Sequence, residues 1–318
     1  MSQSKKFVML LLGLALTSCS IWQRRSAVSS QPGPMEKNVP TEAREDSPRK
    51  RIMVLPFIDV SGVRSASGGP NQQLTLSARS ALVSWLSSTE RFVIVNNDDF
   101  PKDISQFLNN FQYDVESMAK IANGMGIAAI IETKILEIHA KKLGNDIGVF
   151  RKIGAQVNGR IQIRIVSAKN GKELLSTVKE AQIQSTSTRI GEQTPSNRDL
   201  LDDPKLVGDV VIKALKSTIR PMAQSIDKLS WEGRVALVKG DQYYINAGRL
   251  SGLQIGDVLK VTEESQEVYD PDSGIFIGHV PGRMKGTVEL VSYFGKDGAI
   301  AVLHSGAGIN ENDRIELY

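Results

Sequence analysis

Cysteine is almost missing from this chain: Cys19 is the only one in 318 residues. A lone thiol has no intramolecular partner, which excludes a disulfide scaffold and any multi-cysteine metal site. Histidine is scarce as well. His139, His279 and His304 stand apart in strand-like sequence, with no second histidine at ligand spacing. Aromatic residues make up 6% of the chain and no basic stripe interleaves with them, so no nucleic-acid partner is expected. Neither sign of charge dominates: 39 Lys and Arg face 35 Asp and Glu, a formal +4. Past the leader, no stretch approaches the roughly 18 apolar residues of a spanning helix. Catalytic signatures are missing too. "SARSALVSW" (77–85) has serines but no strand–turn–helix elbow. "SGAGIN" (305–310) precedes no helix pattern that could cradle phosphate. "DPDSG" (270–274) lacks the later ligands of a calcium loop and reads as a hairpin tip. No catalytic residue, cofactor or metal is expected.

What is present starts at the amino terminus. Lys5 and Lys6 precede ten mostly apolar residues, Phe7 to Leu16, and then the small pair Thr17-Ser18. That order is a secretory signal whose apolar core is short for a membrane span. "LTSC" (16–19) resembles a bacterial lipobox. The resemblance implies cleavage before Cys19, diacylglycerol on its sulfur and acylation of the new amino group, making Cys19 the lipid-attachment residue. Several acyl chains exceed what stable anchoring requires, at about 0.8 kcal/mol per buried CH₂. Ser20 rather than Asp follows, which by resemblance to sorting in enteric bacteria implies the outer membrane, facing the periplasm.

From residue 19 to 50 the chain is polar, with Pro32, Pro34, Pro40 and Pro48. Such a segment buries too little apolar surface to offset its ordering entropy. It reads as a tether of about 30 residues with a root-mean-square reach of about 30 Å.

Order begins at "RKRIMVLPF" (49–57), where Ile52 to Leu55 has the unbroken apolarity of a strand buried on both faces. An amphipathic helix carries Leu74, Ala78, Ala81, Leu82 and Trp85 on one side, and "RFVIV" (91–95) is a second strand. "FPKDISQFLNNF" (100–111) reads as a short helix or loop. Asp114 is placed to cap the helix "VESMAKIAN", which Gly124 or Gly126 ends. "IAAIIETKILEI" (127–138) is a long strand. In "GRIQIRIVSAKNGKELLSTVKEAQIQ" (159–184) isoleucines alternate with polar residues, and Asn170-Gly171 suits a tight hairpin turn. After a polar loop, Val207, Val211, Ala214, Leu215, Met222, Ile226 and Leu229 mark a long helix bent at Pro221.

Beyond Trp231 the pattern is short strands with glycine. "GLQIGDVL" (252–259) and "GINENDRI" (308–315) form a faint repeat, with Gly256 matching Asn312 and Asp257 matching Asp313. Glycine and asparagine both tolerate a left-handed turn, and the aspartates can bond its amides. The expected fold class is α/β, a mixed sheet flanked by helices, followed by a small β-barrel-like domain. The expected boundaries are 1–18 signal peptide, 19–50 tether, 51–229 α/β domain and 230–318 β domain.

"IMVLPFIDVSG" (52–62), "GIAAIIETKILEI" (126–138), "RIQIRIVSAKNGKELLS" (160–176) and the closing helix, in that order and with the lipobox, resemble the CsgG-type lipoprotein family and amino-terminal TolB-like domains. The likeness covers residues 51–229. The glycine–aspartate turns near the end are similar to the carboxyl-terminal β domain of flagellar assembly T proteins, which lack a lipid anchor such as Cys19. Together these imply a non-enzymatic outer-membrane lipoprotein that self-associates or docks proteins of an envelope machine: a secretion apparatus, a flagellar basal body or a cell-wall complex.

The curli members also imply an oligomeric channel built from two β-hairpins per subunit. In "KKLGNDIGVFRKIGAQV" (141–157) Asn145 and Arg151 fall on the apolar face, and a charge at mid-bilayer costs about 2–4 kcal/mol. "QSTSTRIGEQTPSNRDLL" (184–201) offers no lipid face, and Pro195 breaks any ladder. A body outside the bilayer is therefore favoured, with the channel as the alternative. A further alternative is peptidoglycan binding through Tyr243, Tyr244, Phe276, Tyr293 and Phe294.

Overall fold

Lys50–Val54 forms β1, whose Ile52, Met53 and Val54 are wholly buried. A computed structural model of the chain describes residues 47–64, 71–143, 151–189, 201 and 203–318. The reason for the unbroken apolar run is position. β1 lies between β3 (Phe92–Val95) and β6 (Ala129–Leu143), parallel to both, and its two faces enter separate cores. β2 (Ile58–Asp59) continues alongside β6, again in parallel. From β6 the chain turns antiparallel through β7 (Arg151–Ser167) and β8 (Glu173–Arg189). The sheet order is β3-β1-β6-β7-β8 with β2 beside β6, a mixed sheet.

Helices cover both faces. On one lie α1 (Gln72–Ser88), α3 (Pro204–Lys216) and α4 (Ile219–Asp227), packed on Ile52, Val54, Ile131, Ile161 and Ile163. On the other lies α2 (Val115–Gly124), packed on Met53, Leu55, Ile130 and Val166. Each fully buried aliphatic side chain contributes roughly 1.5–3 kcal/mol of transfer free energy. Local signals set the ends of α2. The Asp114 carboxylate accepts the Ser117 amide at 3.1 Å, and Gly126 turns the chain at φ +71°. A short hairpin, β4 (Leu108–Asn109) and β5 (Gln112–Tyr113), turns through Asn110 and Phe111, both at positive φ.

Two expectations need correcting. The last helical stretch is two helices, broken at Ser217-Thr218 and not bent at Pro221. Ser217 Oγ donates to the Ala214 carbonyl at 2.7 Å and Thr218 Oγ1 to that of Leu215 at 2.6 Å, which ends α3. Pro221 then falls in the first turn of α4, where its missing amide costs no hydrogen bond. The segment after 184 is not a polar loop at its start. β8 runs on to Arg189 in register with β7, so Ser185 stands opposite Ala155 and Thr188 opposite Lys152. Hydrophobic alternation stops there, but the ladder of backbone hydrogen bonds does not.

Beyond Trp231, β9 (Gly233–Lys239), β10 (Gln242–Ile245), β11 (Val258–Thr262), β14 (Met284–Phe294), β15 (Gly298–Gly306) and β16 (Arg314–Leu317) close into a six-stranded antiparallel barrel. Its core includes Trp231, Val235, Leu259, Val288, Leu290 and Ile315. Closure removes the exposed edges that such short strands would otherwise present. Between β11 and β14 the chain leaves the barrel as a separate two-stranded hairpin, β12 (Gln266–Tyr269) and β13 (Phe276–Val280). Among the described residues no helix is long and apolar enough to cross a membrane.

Candidate functional site

The barrel is stapled to the α/β layer through Asn246, just after β10. Its Nδ2 donates to the Met125 carbonyl at 3.0 Å, and its Oδ1 accepts the Arg234 amide at 2.8 Å. Its own carbonyl accepts from Arg51 of β1. Burial holds the Arg51 guanidinium below its ordinary pKa, while Asp297 and Asp99 pull it back up. One residue before β1, the Arg49 amide donates to the Ser251 carbonyl at 2.7 Å. The chain therefore enters the fold clamped against a barrel loop. That loop is itself held by Asp297, which accepts the amides of Gly248 and Ser251, both at 2.9 Å.

This seam encloses a cleft of about 210 Å³, lined among others by Asn123, Ser167, Lys169, Lys228, Glu232 and Arg234. Three of these are cations and one is an acid. Lys169 pairs with Glu232, which also faces Arg314 at 3.7 Å. Arg234, only 3% exposed, donates to the Asn312 carbonyl and to Glu264, each at 2.9 Å. Ser167 is 1% exposed and its hydroxyl has no hydrogen-bond partner among the described residues. Neither a histidine nor a carboxylate lies within hydrogen-bond reach of that hydroxyl, so no described group activates it as a nucleophile. The arrangement suits a small polar or anionic group held by charge and hydrogen bonds.

A second concave surface, of about 340 Å³, lies on the strands β6 to β8. There Arg160 bridges Glu137 at 3.2 Å and Glu180 at 2.9 Å, beside His139 and Gln182. All three charged side chains are more than a third exposed, so the pairs contribute little to stability. They make a solvated, alternating charge ladder on the sheet face.

The sequence-derived candidates are scattered. Cys19 lies outside the described residues, as does the side chain of His279. His139 faces Glu137 and His304 faces Glu289, in separate parts of the fold. Among the described residues no group of three or more His, Cys, Asp or Glu could hold a metal ion. The aromatic candidates divide into groups: Tyr244 meets Phe294 edge to face at 5.4 Å, Tyr293 lies under Arg249, and Tyr269 meets Phe276 on the β12–β13 hairpin. Asn246, Ser167 and Arg234 had no motif to announce them. The one available hint was a lone arginine, Arg234, ahead of the apolar run Val235 to Val238.

No protein-family profile matches the sequence, and no curated protein does. Among solved structures the chain is similar to lipoprotein GNA1162 from Neisseria meningitidis, with 19% identity over 52% of this chain and 96% of the other, at a TM-score of 0.26. It is similar to the LpoB carboxyl-terminal domain from Salmonella enterica, with 14% identity over 42% of this chain and 83% of that domain, TM-score 0.28. It is also similar to the PelC dodecamer from Paraburkholderia phytofirmans, with 12% identity over 52% of this chain and 88% of that one, TM-score 0.23.

Proposed function

We propose that this chain is a non-catalytic outer-membrane lipoprotein that faces the periplasm, self-associates and serves as a scaffold or assembly factor of an envelope machine. The carrying observation is the lipobox Leu16 to Cys19 ahead of a polar, proline-bearing segment. Two further features support it. The chain enters the fold at Arg49, clamped on the barrel loop, so a tether pulls on a fixed point. The seam joins the barrel to the α/β layer through the hydrogen bonds of Asn246 and Arg51. Fractionation of a Cys19→Ser variant tests the anchor: it should leave the outer-membrane fraction. Retention in the outer-membrane fraction would remove the reading. Crosslinking in whole envelopes tests the scaffold role by recovering a second copy and the proteins of one machine.

The channel reading is disfavoured by strand register. Arg151 stands opposite Arg189 and Lys152 opposite Thr188, so no apolar face reaches the far end of the β7–β8 pair. Planar-bilayer recordings of the lipidated protein should give no conductance steps. A second binding reading rests on the barrel, where the Tyr244–Phe294 pair gives a small partly exposed platform for a sugar ring. Sacculus pull-down with and without residues 231–318 decides it.

A further inference from the structure

The β12–β13 hairpin is an arm that nothing in the fold explains. It leaves the barrel where Thr262 pairs with Met284 and the Glu263 amide donates to Arg283 at 2.9 Å. The strands cross closely at its root: a Cβ on Gly282 would sit 1.9 Å from the Glu263 carbonyl oxygen. Beyond that root there are two strands only, and an isolated two-stranded hairpin is marginal in water. The edge-to-face contact of Tyr269 with Phe276 at 5.5 Å supports it from within, beside the backbone ladder of the two strands. Even so, it shows water a run of large apolar residues. Ile275 is 66% exposed, Ile277 65% and Val280 54%. A patch of this kind on a folded protein marks a contact surface.

Its charge selects the occupant. Glu263, Glu264, Glu267, Asp270 and Asp272 lie between residues 263 and 282, with no lysine or arginine among them. Glu263 faces Arg283 at 3.6 Å and Glu264 pairs with Arg234 at the root, so the arm's net negative charge rests on Glu267, Asp270 and Asp272. Anionic headgroups would repel such a surface, which argues against a lipid bilayer. A basic partner fits, and this chain carries one. On α3, Lys205, Asp209, Lys213 and Lys216 recur at spacings of four, four and three, one helical stripe, and Arg220 follows on α4. All five residues are exposed.

The two surfaces cannot meet within one molecule. Glu264 at the root of the arm accepts from Asn123 at the end of α2, 2.9 Å away. α2 lies on the face of the sheet opposite α3 and α4. We infer that the acidic, apolar β12–β13 arm docks on the basic α3–α4 layer of a second copy of this chain. The contact is heterologous, head to tail, and successive copies close into a ring or extend as a filament. This rests on the self-association proposed above and names the surfaces that carry it.

Sedimentation velocity of the full-length chain in detergent, at micromolar concentration and two salt levels, tests it. Wild type should associate, and less at high salt. Ile275→Ser with Ile277→Ser should weaken association about tenfold or more, as loss of central apolar anchors does. Glu267→Lys with Asp272→Lys should do the same, and adding Lys205→Glu with Lys216→Glu should restore it. These positions are exposed, and circular dichroism checks that each variant folds. Association untouched by the arm variants overturns the arm while leaving self-association standing. A strictly monomeric wild type overturns both. Arm variants that associate normally but lose a crosslink to another envelope protein, or an arm uncovered only when residues 20–46 are deleted, would assign the patch to that occupant instead.

Discussion

Asp257 and Asp313 close equivalent turns at two places on the barrel. Each carboxylate accepts the backbone amide three residues upstream at 2.7 Å, from Gln254 and Asn310 respectively. The residue before each is left-handed: Gly256 at φ +95° and Asn312 at φ +68°. The repeat in the sequence is thus a repeat in three dimensions, and its polar residues are structural. They differ in one respect. Asp313 is 6% exposed, and both its oxygens also accept from Lys285 at 2.8 Å.

That difference predicts unequal costs. Asp257→Ala loses a turn bond near the surface and should destabilise by about 1 kcal/mol. Asp313→Ala also strands the Lys285 ammonium in a mostly buried site, where breaking a pair costs about 3–5 kcal/mol. Urea denaturation of the two variants measures the gap. Equal losses would mean the Lys285 pair contributes nothing.

Asn246 should control whether barrel and sheet unfold together. Asn246→Ala leaves the Met125 carbonyl and the Arg234 amide without their partner, about 1–3 kcal/mol for each buried group. Gly126→Ala should act on the same joint: its φ is +71°, and a Cβ there would approach Asn246 Nδ2 to 2.5 Å. In either variant, calorimetry should resolve two unfolding transitions where wild type gives one. A single transition at unchanged temperature would show that the seam does not couple the two cores.

Tyr113 gives a pH signature. Burial first, and then the Glu132 carboxylate beside it, push its pKa up to about 12, with Arg79 opposing. The native state keeps this proton after the unfolded chain loses it near pH 10, so protons are released on unfolding in that window. The contribution is complete below pH 10 and fades as pH rises toward 12. Tyr113→Phe should therefore lose less stability than wild type between pH 10 and 12. Glu132→Gln should bring the phenol back toward its ordinary range, read by absorbance titration of the phenolate. A Tyr113→Phe profile parallel to wild type would contradict the assignment.

Legibility in the sequence followed the range of the interaction. The Asp114 cap, the left-handed Gly126 and the twin aspartate turns all depend on residues a few positions apart, and each could be read directly. The β7–β8 hairpin was legible as well, but its turn is wider than a two-residue Asn-Gly turn, with the Ser167 amide donating to the Lys172 carbonyl and Gly171, not Asn170, at positive φ. The break at Thr218 was hidden because Pro221 is the louder signal, although hydroxyl-to-carbonyl bonds from Ser217 and Thr218 do the work. The end of β8 was hidden because its ladder outlasts hydrophobic alternation. The seam could not be read at all: Arg51 and Asn246 are 195 residues apart, and their contact exists only once two separate cores are in place. The turn of the arm was visible in "DPDSG", where Asp270 accepts the amides of Asp272 and Ser273. That the arm would stand clear of the barrel was not.

Gly159 is the place where the helix-covered face can be tested most sharply. Its φ is ordinary, so its role is space rather than backbone freedom. A Cβ there would lie 3.1 and 3.3 Å from the two methyls of Val210 on α3, a side chain with no exposed surface. In an open strand Gly→Ala should gain about 0.5–1 kcal/mol, because glycine loses more entropy on folding. Here the added methyl pushes α3 off the sheet, and overpacking costs about 1–3 kcal/mol. Gly159→Ala should therefore destabilise, modestly. Val210→Ala alone leaves a void and should also destabilise. The double variant places the new methyl in the vacated space, so its stability should exceed the sum of the single losses by at least about 0.5 kcal/mol, the usual floor for residues in contact. Strict additivity in that cycle would mean that α3 moves away without resistance. The basic stripe on its outer side would then not be held at a fixed distance from the sheet.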